Sequence, residues 1–311
     1  MTPTSASADP TSPGSRSAPE RPGAARVWWG AARPATLAAS VSPVLAGTAI
    51  AVHDGRVRTL PGLGALLVAV AIQVGTNYAN DYSDFVRGAD RRRMGPLRAA
   101  SSGVVDPGHV RLAALACFGV AAVAGLAVSL VTNPVLVLFG ALAVAAGWLY
   151  TGGPRPYGYA GLGELFVFVF FGLLATAGTT YVHELRVPPA AWAAGCATGF
   201  MACAILALNN LRDIETDAEA GKRTLAVRLG RRATRAMVAA LLAAALLVGP
   251  LAAALGWAPW WVALTLLALP LAALAVRASR SASPPVLVGG LKRTAELELV
   301  WALLWTLGML L

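Results

Sequence analysis

Nine apolar segments, at about residues 35–52, 62–84, 112–131, 134–151, 161–182, 190–211, 236–256, 258–276 and 297–311, take up most of the chain. A run of about 20 apolar residues is the length that crosses a bilayer as a helix. A water-soluble domain of 311 residues has too little interior to hide so many such runs. Hydrophobic residues make up 57% of the chain and charged residues 13%, against roughly a quarter charged in ordinary globular chains. The sequence therefore predicts an all-α, polytopic membrane protein with nine transmembrane helices, none of them interrupted halfway.

Charge segregation gives the orientation. With the N-terminus in the cytoplasm, the loops on that side hold 22 of the 25 Lys and Arg residues, and the opposite side holds Arg56, Arg58 and Arg186. Such an asymmetry is the positive-inside pattern. It accounts for the net charge of +10 without nucleic acid as a partner. Residues 1–25 are rich in Ser, Pro, Thr and Ala and lack an apolar core. They read as a disordered cytoplasmic tail rather than a cleaved signal, which leaves 26–311 as the membrane domain. Cys117, Cys196 and Cys203 all fall in apolar stretches and read as small packing residues.

Two of the cytoplasmic loops, around 85–111 and 212–235, are long, and an acidic cluster precedes each. The second segment ends in Asn77, Asn80, Asp81 and Asp84; the sixth ends in Asn209, Asn210, Asp213 and Asp217. Asn77, Asp81 and Asp84 stand at i, i+4, i+7, and Asn209, Asp213 and Asp217 at i, i+4, i+8. Each set falls on one face of a helix. Carboxylates one turn apart at a membrane edge repel strongly unless a cation lies between them. Oxygen-only donors at this density suit Mg²⁺ completed by phosphate oxygens, and no nearby His or Cys points to zinc. Two facing Asp pairs predict two Mg²⁺ ions clamping a diphosphate. Arg87, Arg91, Arg212, Lys222 and Arg223 are all within a few residues of the clusters, where a departing diphosphate needs positive charge.

A third stretch, YTGGPRPYGYAGLGE (150–164), joins the fourth and fifth segments on the same side. Its Gly and Pro density predicts a tight, shaped loop. Tyr150 and Arg155 are candidates to stack on and pair with an aromatic acid. Glu164, at the start of an apolar helix, is a candidate functional carboxylate. The Trp residues at segment ends, among them Trp28, Trp29, Trp257, Trp260 and Trp261, read as interfacial anchors.

NYANDYSDFVRGAD (77–90) and NNLRDIETDAEAGKRTLAVRLG (209–230) resemble the two aspartate-rich motifs of UbiA-type membrane prenyltransferases. With the 150–164 loop, the likeness narrows to the branch that acts on 1,4-dihydroxy-2-naphthoate in menaquinone biosynthesis. It spans about residues 26–311. The resemblance implies nine helices around a central cavity open to lipid and cytoplasm, in the cell membrane. It implies that Asp81 and Asp84 bind one Mg²⁺ and Asp213 and Asp217 another. Asn77, Asn80 and Asn210 then support the metal and diphosphate sites, and Arg87, Lys222 and Arg223 hold the diphosphate. The substrates implied are polyprenyl diphosphate and 1,4-dihydroxy-2-naphthoate, joined with loss of diphosphate and carbon dioxide. The wider family often carries an acidic residue four positions after Asp84; here that position is Gly88, and Asp90 is a candidate outer group only. A prenyltransferase for another aromatic acceptor, such as 4-hydroxybenzoate, is the alternative within the family. A secondary transporter for an anionic solute is the rival from another class.

Overall fold

The computed structural model describes residues 23–88 and 98–311. The described residues form helices and connecting turns, with no strand among them. In chain order the helices are α1 (Ala24–Ala32), α2 (Ala38–His53), α3 (Thr59–Val86), α4 (Pro107–Val131), α5 (Val135–Leu149) and α6 (Gly163–Glu184). They continue with α7 (Pro189–Arg212), α8 (Ile214–Glu219), α9 (Leu225–Ala254), α10 (Trp260–Ser279) and α11 (Pro284–Leu310). All nine expected segments fall on helix. Among the described residues, six of these helices are long and apolar enough to cross a bilayer, or seven if the bent α1–α2 pair is one span. Of the other expected segments, α5 has only 15 residues. The 297–311 segment is the far end of the 27-residue α11, which also carries Lys292, Arg293, Glu296 and Glu298. Helix α1 starts at Ala24, two residues before the expected domain boundary, and Asp90 and Arg91 lie outside the described residues.

Local chemistry sets the helix starts. Asp106 caps α4 by accepting from the Gly108 N–H at 2.7 Å, with Pro107 at the first helical position. Both devices satisfy or remove donors that a helix start leaves open. Thr224 caps α9 through the Val227 N–H at 3.3 Å. Gly230, at φ 76°, then breaks that helix and sets its first turns apart from the long apolar part.

One expectation fails. The first crossing is interrupted: Ala24–Thr36 and Ala38–His53 are bent by 46°, and within the first of these stretches α1 ends at Arg33, whose φ of 54° and ψ of 63° are left-handed. Pro34 follows, and the residue before a proline is disfavoured in right-handed helix. A left-handed conformation costs a non-glycine residue about 1–3 kcal/mol.

The core is built on α7. Ala191, Ala194, Ala197, Ala204 and Ala207 along it are fully buried, and it packs against α6, α9 and α11. Small side chains let these helices come close, which is how helices gain packing energy in lipid. At the closest point Gly172 of α6 faces Gly195 and Gly199 of α7. Trp301 and Trp305 of α11, stacked at 5.2 Å, are fully buried in this core. They are packing residues, whereas Trp29 and Trp260 are exposed, as anchors should be. On the outside, Leu60, Leu67, Val123, Leu130, Leu138 and Leu267 are exposed, an apolar surface suited to acyl chains. Cys203 is buried, and Cys117 and Cys196 are half-buried.

Candidate active site

Helices α2 to α7 and the start of α11 enclose a cavity of about 1170 Å³. Its deeper wall is apolar, with Val68, Ile72, Phe139, Phe170, Leu174 and Val182 among its residues. Its other end is lined by Asn77, Asn80, Asp81, Asp84, Asn209, Asn210, Asp213, Asp217 and Lys222. The two acidic clusters, far apart in sequence, therefore meet at one end of one cavity.

Each side chain there is held by a specific contact. Asn77 donates to the Ala32 carbonyl at 2.9 Å. Asn80 accepts from the Thr151 hydroxyl at 2.7 Å, which joins α3 to the loop after α5. Asp81 accepts from the Ala99 N–H through Oδ2 at 2.7 Å. Its Oδ1 is buried and has no partner among the described residues. Asp84 accepts from the Tyr159 hydroxyl at 2.9 Å and from Lys222 Nζ at 2.8 Å, and pairs with Arg98 at 2.9 Å.

The second cluster departs from the expected helix face. Helix α7 stops at Arg212, Asp213 has φ −97° and ψ 11°, and α8 begins afresh at Ile214. The break still leaves Asn209, Asp213 and Asp217 on the cavity wall. Arg212 grips Asp213 at 2.7 and 2.5 Å and also donates to Asn209 at 2.9 Å. Lys222 Nζ stands 3.9 Å from Asp217 and 2.8 Å from Asp84, so one cation bridges the two clusters. It also lies over the Tyr159 ring at 4.8 Å, a cation–π contact.

The electrostatics follow from crowding. Burial pushes the Asp217 carboxyl up to about 7; Lys222 pulls it down, while Asp213 and Asp84 push it up. Burial and the Asp84 carboxylate hold the Tyr159 phenol well above its usual range, so it stays a donor. Asp81 Oδ1 is an acceptor without a protein donor among the described residues, and the carboxylates of Asp84, Asp213 and Asp217 line the same end. Such a set fits a hard divalent cation. Among the described residues no three His, Cys, Asp or Glu side chains form a ready metal cage. An ion here would complete its shell with water and phosphate oxygens, the habit of Mg²⁺.

Other candidates are placed differently. Arg87 is exposed; its guanidinium donates to the Thr151 and Gly153 carbonyls and covers the Tyr159 ring at 5.3 Å. It clamps the loop and does not line the cavity. Arg223 is exposed too, and its backbone N–H holds the Tyr159 carbonyl at 3.0 Å. Arg155 is exposed and stands outside the cavity lining, while Tyr150 is on it. Glu164 is buried just behind the wall. It accepts from the Asn210 amide at 3.1 Å, and its own carbonyl accepts from the Cys203 thiol at 3.0 Å. Sequence spacing does not single out Arg98, Thr151 or Arg33, which all line the cavity. Their loop positions carry no periodic signal, although Arg98 is one of the basic residues in the long loop after the first cluster.

Residues 40–309 match the UbiA prenyltransferase family. The chain belongs to that family. A member from Mycobacterium tuberculosis, named 1,4-dihydroxy-2-naphthoate octaprenyltransferase, is 47% identical over 279 residues, 89% of this chain and 94% of the relative. The UbiA homologue from Aeropyrum pernix K1 has the same fold, with a TM-score of 0.64 at 17% identity, over 88% of this chain and 96% of that one. The Archaeoglobus fulgidus UbiA homologue, solved bound to DMAPP and Mg²⁺, superposes with a TM-score of 0.54 at 15% identity, covering 90% and 99%. This UbiA-family chain is a multi-pass membrane protein.

Proposed function

We propose that the chain transfers the polyprenyl group of a polyprenyl diphosphate to 1,4-dihydroxy-2-naphthoate, a step of menaquinone biosynthesis. The name of the M. tuberculosis relative supports this acceptor, at 47% identity over most of both chains. The observation that carries the site assignment is Lys222 bridging Asp84 and Asp217 at the polar end of an apolar cavity. That end suits a diphosphate, and the long apolar wall suits its hydrocarbon tail. By the positive-inside pattern, the polar end faces the cytoplasm.

The reaction balances without a redox partner. The allylic C–O bond breaks and its electron pair leaves with diphosphate. The ring carbon bearing the carboxylate forms the new C–C bond. Carbon dioxide then departs, and the pair from its bond restores the aromatic ring, giving a demethylmenaquinol. Asp81 and Asp84 would hold one Mg²⁺ and Asp213 and Asp217 a second, supplying positive charge against the leaving diphosphate. Lys222 and Arg98 add fixed charge at the same end, aimed where negative charge collects. Asn80 and Asn210 keep the walls of the polar end in register through Thr151 and Glu164. The apolar wall keeps water from a cation that it would quench.

A product assay on purified protein in detergent tests the reading. With 1,4-dihydroxy-2-naphthoate, a polyprenyl diphosphate and Mg²⁺, mass spectrometry should find a prenylated product lacking the elements of carbon dioxide. EDTA should abolish it. Prenylation of 4-hydroxybenzoate alone would replace the acceptor. Lys222→Ala should raise the KM for the diphosphate substrate roughly 10- to 100-fold, as expected for a charged hydrogen bond. A rise confined to the acceptor KM would remove Lys222 from that role.

A further inference from the structure

The exposed position of Arg155 leaves the acceptor's carboxylate without its expected partner. Another arginine does reach the cavity. Arg33 lies on its wall, at the break between α1 and α2. Among the described residues its guanidinium makes no hydrogen bond or ion pair. The neighbouring cations are engaged: Arg98 and Lys222 with Asp84, and Arg212 with Asp213.

The backbone at this point is informative. Only Arg33 and Leu185 among the described non-glycine residues have positive φ. A glycine would adopt that conformation without strain. A long cationic side chain at a strained position beside a ligand cavity points to a use for that side chain.

The surroundings indicate which ligand. Along α3, from the acidic end inward, come Asp84, Asp81, Asn77 and Gln73, each about one helical turn from the next. Charge thus gives way to neutral hydrogen-bonding groups. Arg33 is next to the neutral part. Asn77 donates to the carbonyl of Ala32, and Gln73 donates to the Thr36 hydroxyl at 3.1 Å. Thr36, Ser40, Gln73 and Asn77 line the cavity with it. The Arg33 guanidinium also feels the charges of Asp81, Asp84, Arg98 and Arg212, but the amides and hydroxyls that line the wall beside it are neutral, and a guanidinium with such neighbours matches one carboxylate beside two phenolic hydroxyls. The diphosphate end, by contrast, already gathers several carboxylates and cations.

Resting on the prenyl-transfer reading above, we propose that Arg33 binds the carboxylate of the aromatic acceptor. Its planar fork offers two parallel hydrogen bonds to a carboxylate. The pair orients the ring toward the allylic carbon. Because pairing also stabilises the carboxylate against loss of carbon dioxide, its benefit falls on acceptor binding rather than on the chemical step.

The test compares two acceptor-site ligands at saturating polyprenyl diphosphate. One is the naphthoate substrate, read by its KM. The other is the corresponding naphthalene diol, which lacks the carboxylate, read by its Ki as an inhibitor. In the wild type the naphthoate should bind at least tenfold more tightly than the diol. Arg33→Gln should raise the naphthoate KM roughly 10- to 100-fold, with kcat changed only severalfold and the diol Ki and donor KM unchanged. Arg33→Lys should keep part of the preference. Arg33→Gly removes the backbone strain, so it should melt no lower than the wild type in detergent and still lose the preference. Recovery of normal naphthoate KM in Arg33→Gly would show a backbone role only and overturn the proposal. A raised donor KM with an unchanged acceptor KM would assign Arg33 to the diphosphate and overturn it as well. A wild type that prenylates no acceptor at all would overturn the function itself, and this assignment with it.

Discussion

Asp81→Asn abolishes turnover, by a factor on the order of 10³ or more, while the protein still extracts and melts close to the wild type. The two oxygens of Asp81 do different work. Oδ2 accepts from the Ala99 N–H at 2.7 Å and fastens that part of the long loop to α3. Oδ1 is buried and has no donor among the described residues. An asparagine whose carbonyl oxygen takes the Ala99 contact preserves the fastening, but the negative charge offered to the cavity is gone. Asp81→Ala removes both and should lose some stability in addition. Asp213→Asn should be equally inactive. Its loss of stability should be larger, because it leaves Arg212, now paired at 2.5 Å, without its carboxylate inside a buried site. Single-turnover product formation and a detergent melting curve separate the two effects. Near-normal turnover in either asparagine variant, at saturating substrates and Mg²⁺, sinks the assignment of these carboxylates to the metal sites.

These experiments bear on residues that spacing alone brings forward, and spacing is reliable for some features only. The apolar runs identify the helices because a crossing length and a lack of charge are local properties. The i, i+4, i+7 pattern places Asn77, Asp81 and Asp84 on one wall correctly, since α3 continues to Val86. The same reasoning assumes a continuous helix through Asp217, and α7 ends at Arg212. There the cavity is completed by a turn, which no periodicity describes. Arg155 and Arg87 sit in loops, where neighbouring residues in sequence can face opposite ways. Both turn to the outside, Arg87 to hold the Thr151 and Gly153 carbonyls. The Lys222–Asp84 bridge joins residues 138 positions apart, and such a pairing is a property of the packed bundle. The Arg33 break has a local cue in Pro34, but nothing in the sequence says that the left-handed conformation, rather than an extended one, would be chosen.

Packing of α6 on α7 holds the site together from behind, and Gly172→Leu should prevent the folded protein from accumulating. A Cβ at position 172 would run into the Cα of Gly199 and stand 2.5 Å from the Gly195 carbonyl oxygen. Both are backbone atoms of a helix and cannot turn aside. The reciprocal contact is nearly as close: a Cβ on Gly199 would meet the Phe168 ring at 2.7 Å. Gly195 and Gly199 are four residues apart, so they form one small-residue face of α7. Even Gly172→Ala must push the helices apart or bend one, at about 1–3 kcal/mol for overpacking of this kind. Leucine adds three more carbons and takes the expected cost beyond roughly 4 kcal/mol, a large share of a domain's stability. The consequence reaches the active site because Glu164, at the start of α6, accepts from Asn210, near the end of α7. A shift of one helix against the other moves Asn210 and the turn that carries Asp213. Gly172→Ala should therefore melt several degrees lower and lose activity beyond the fraction unfolded. Gly178→Ala, on the same helix but with nothing within 4 Å of its Cβ, should melt no lower than the wild type, since alanine favours helix over glycine. Equal melting temperatures for the Gly172 and Gly178 variants, read by detergent unfolding and size-exclusion yield, would show that this crossing is not the constraint described.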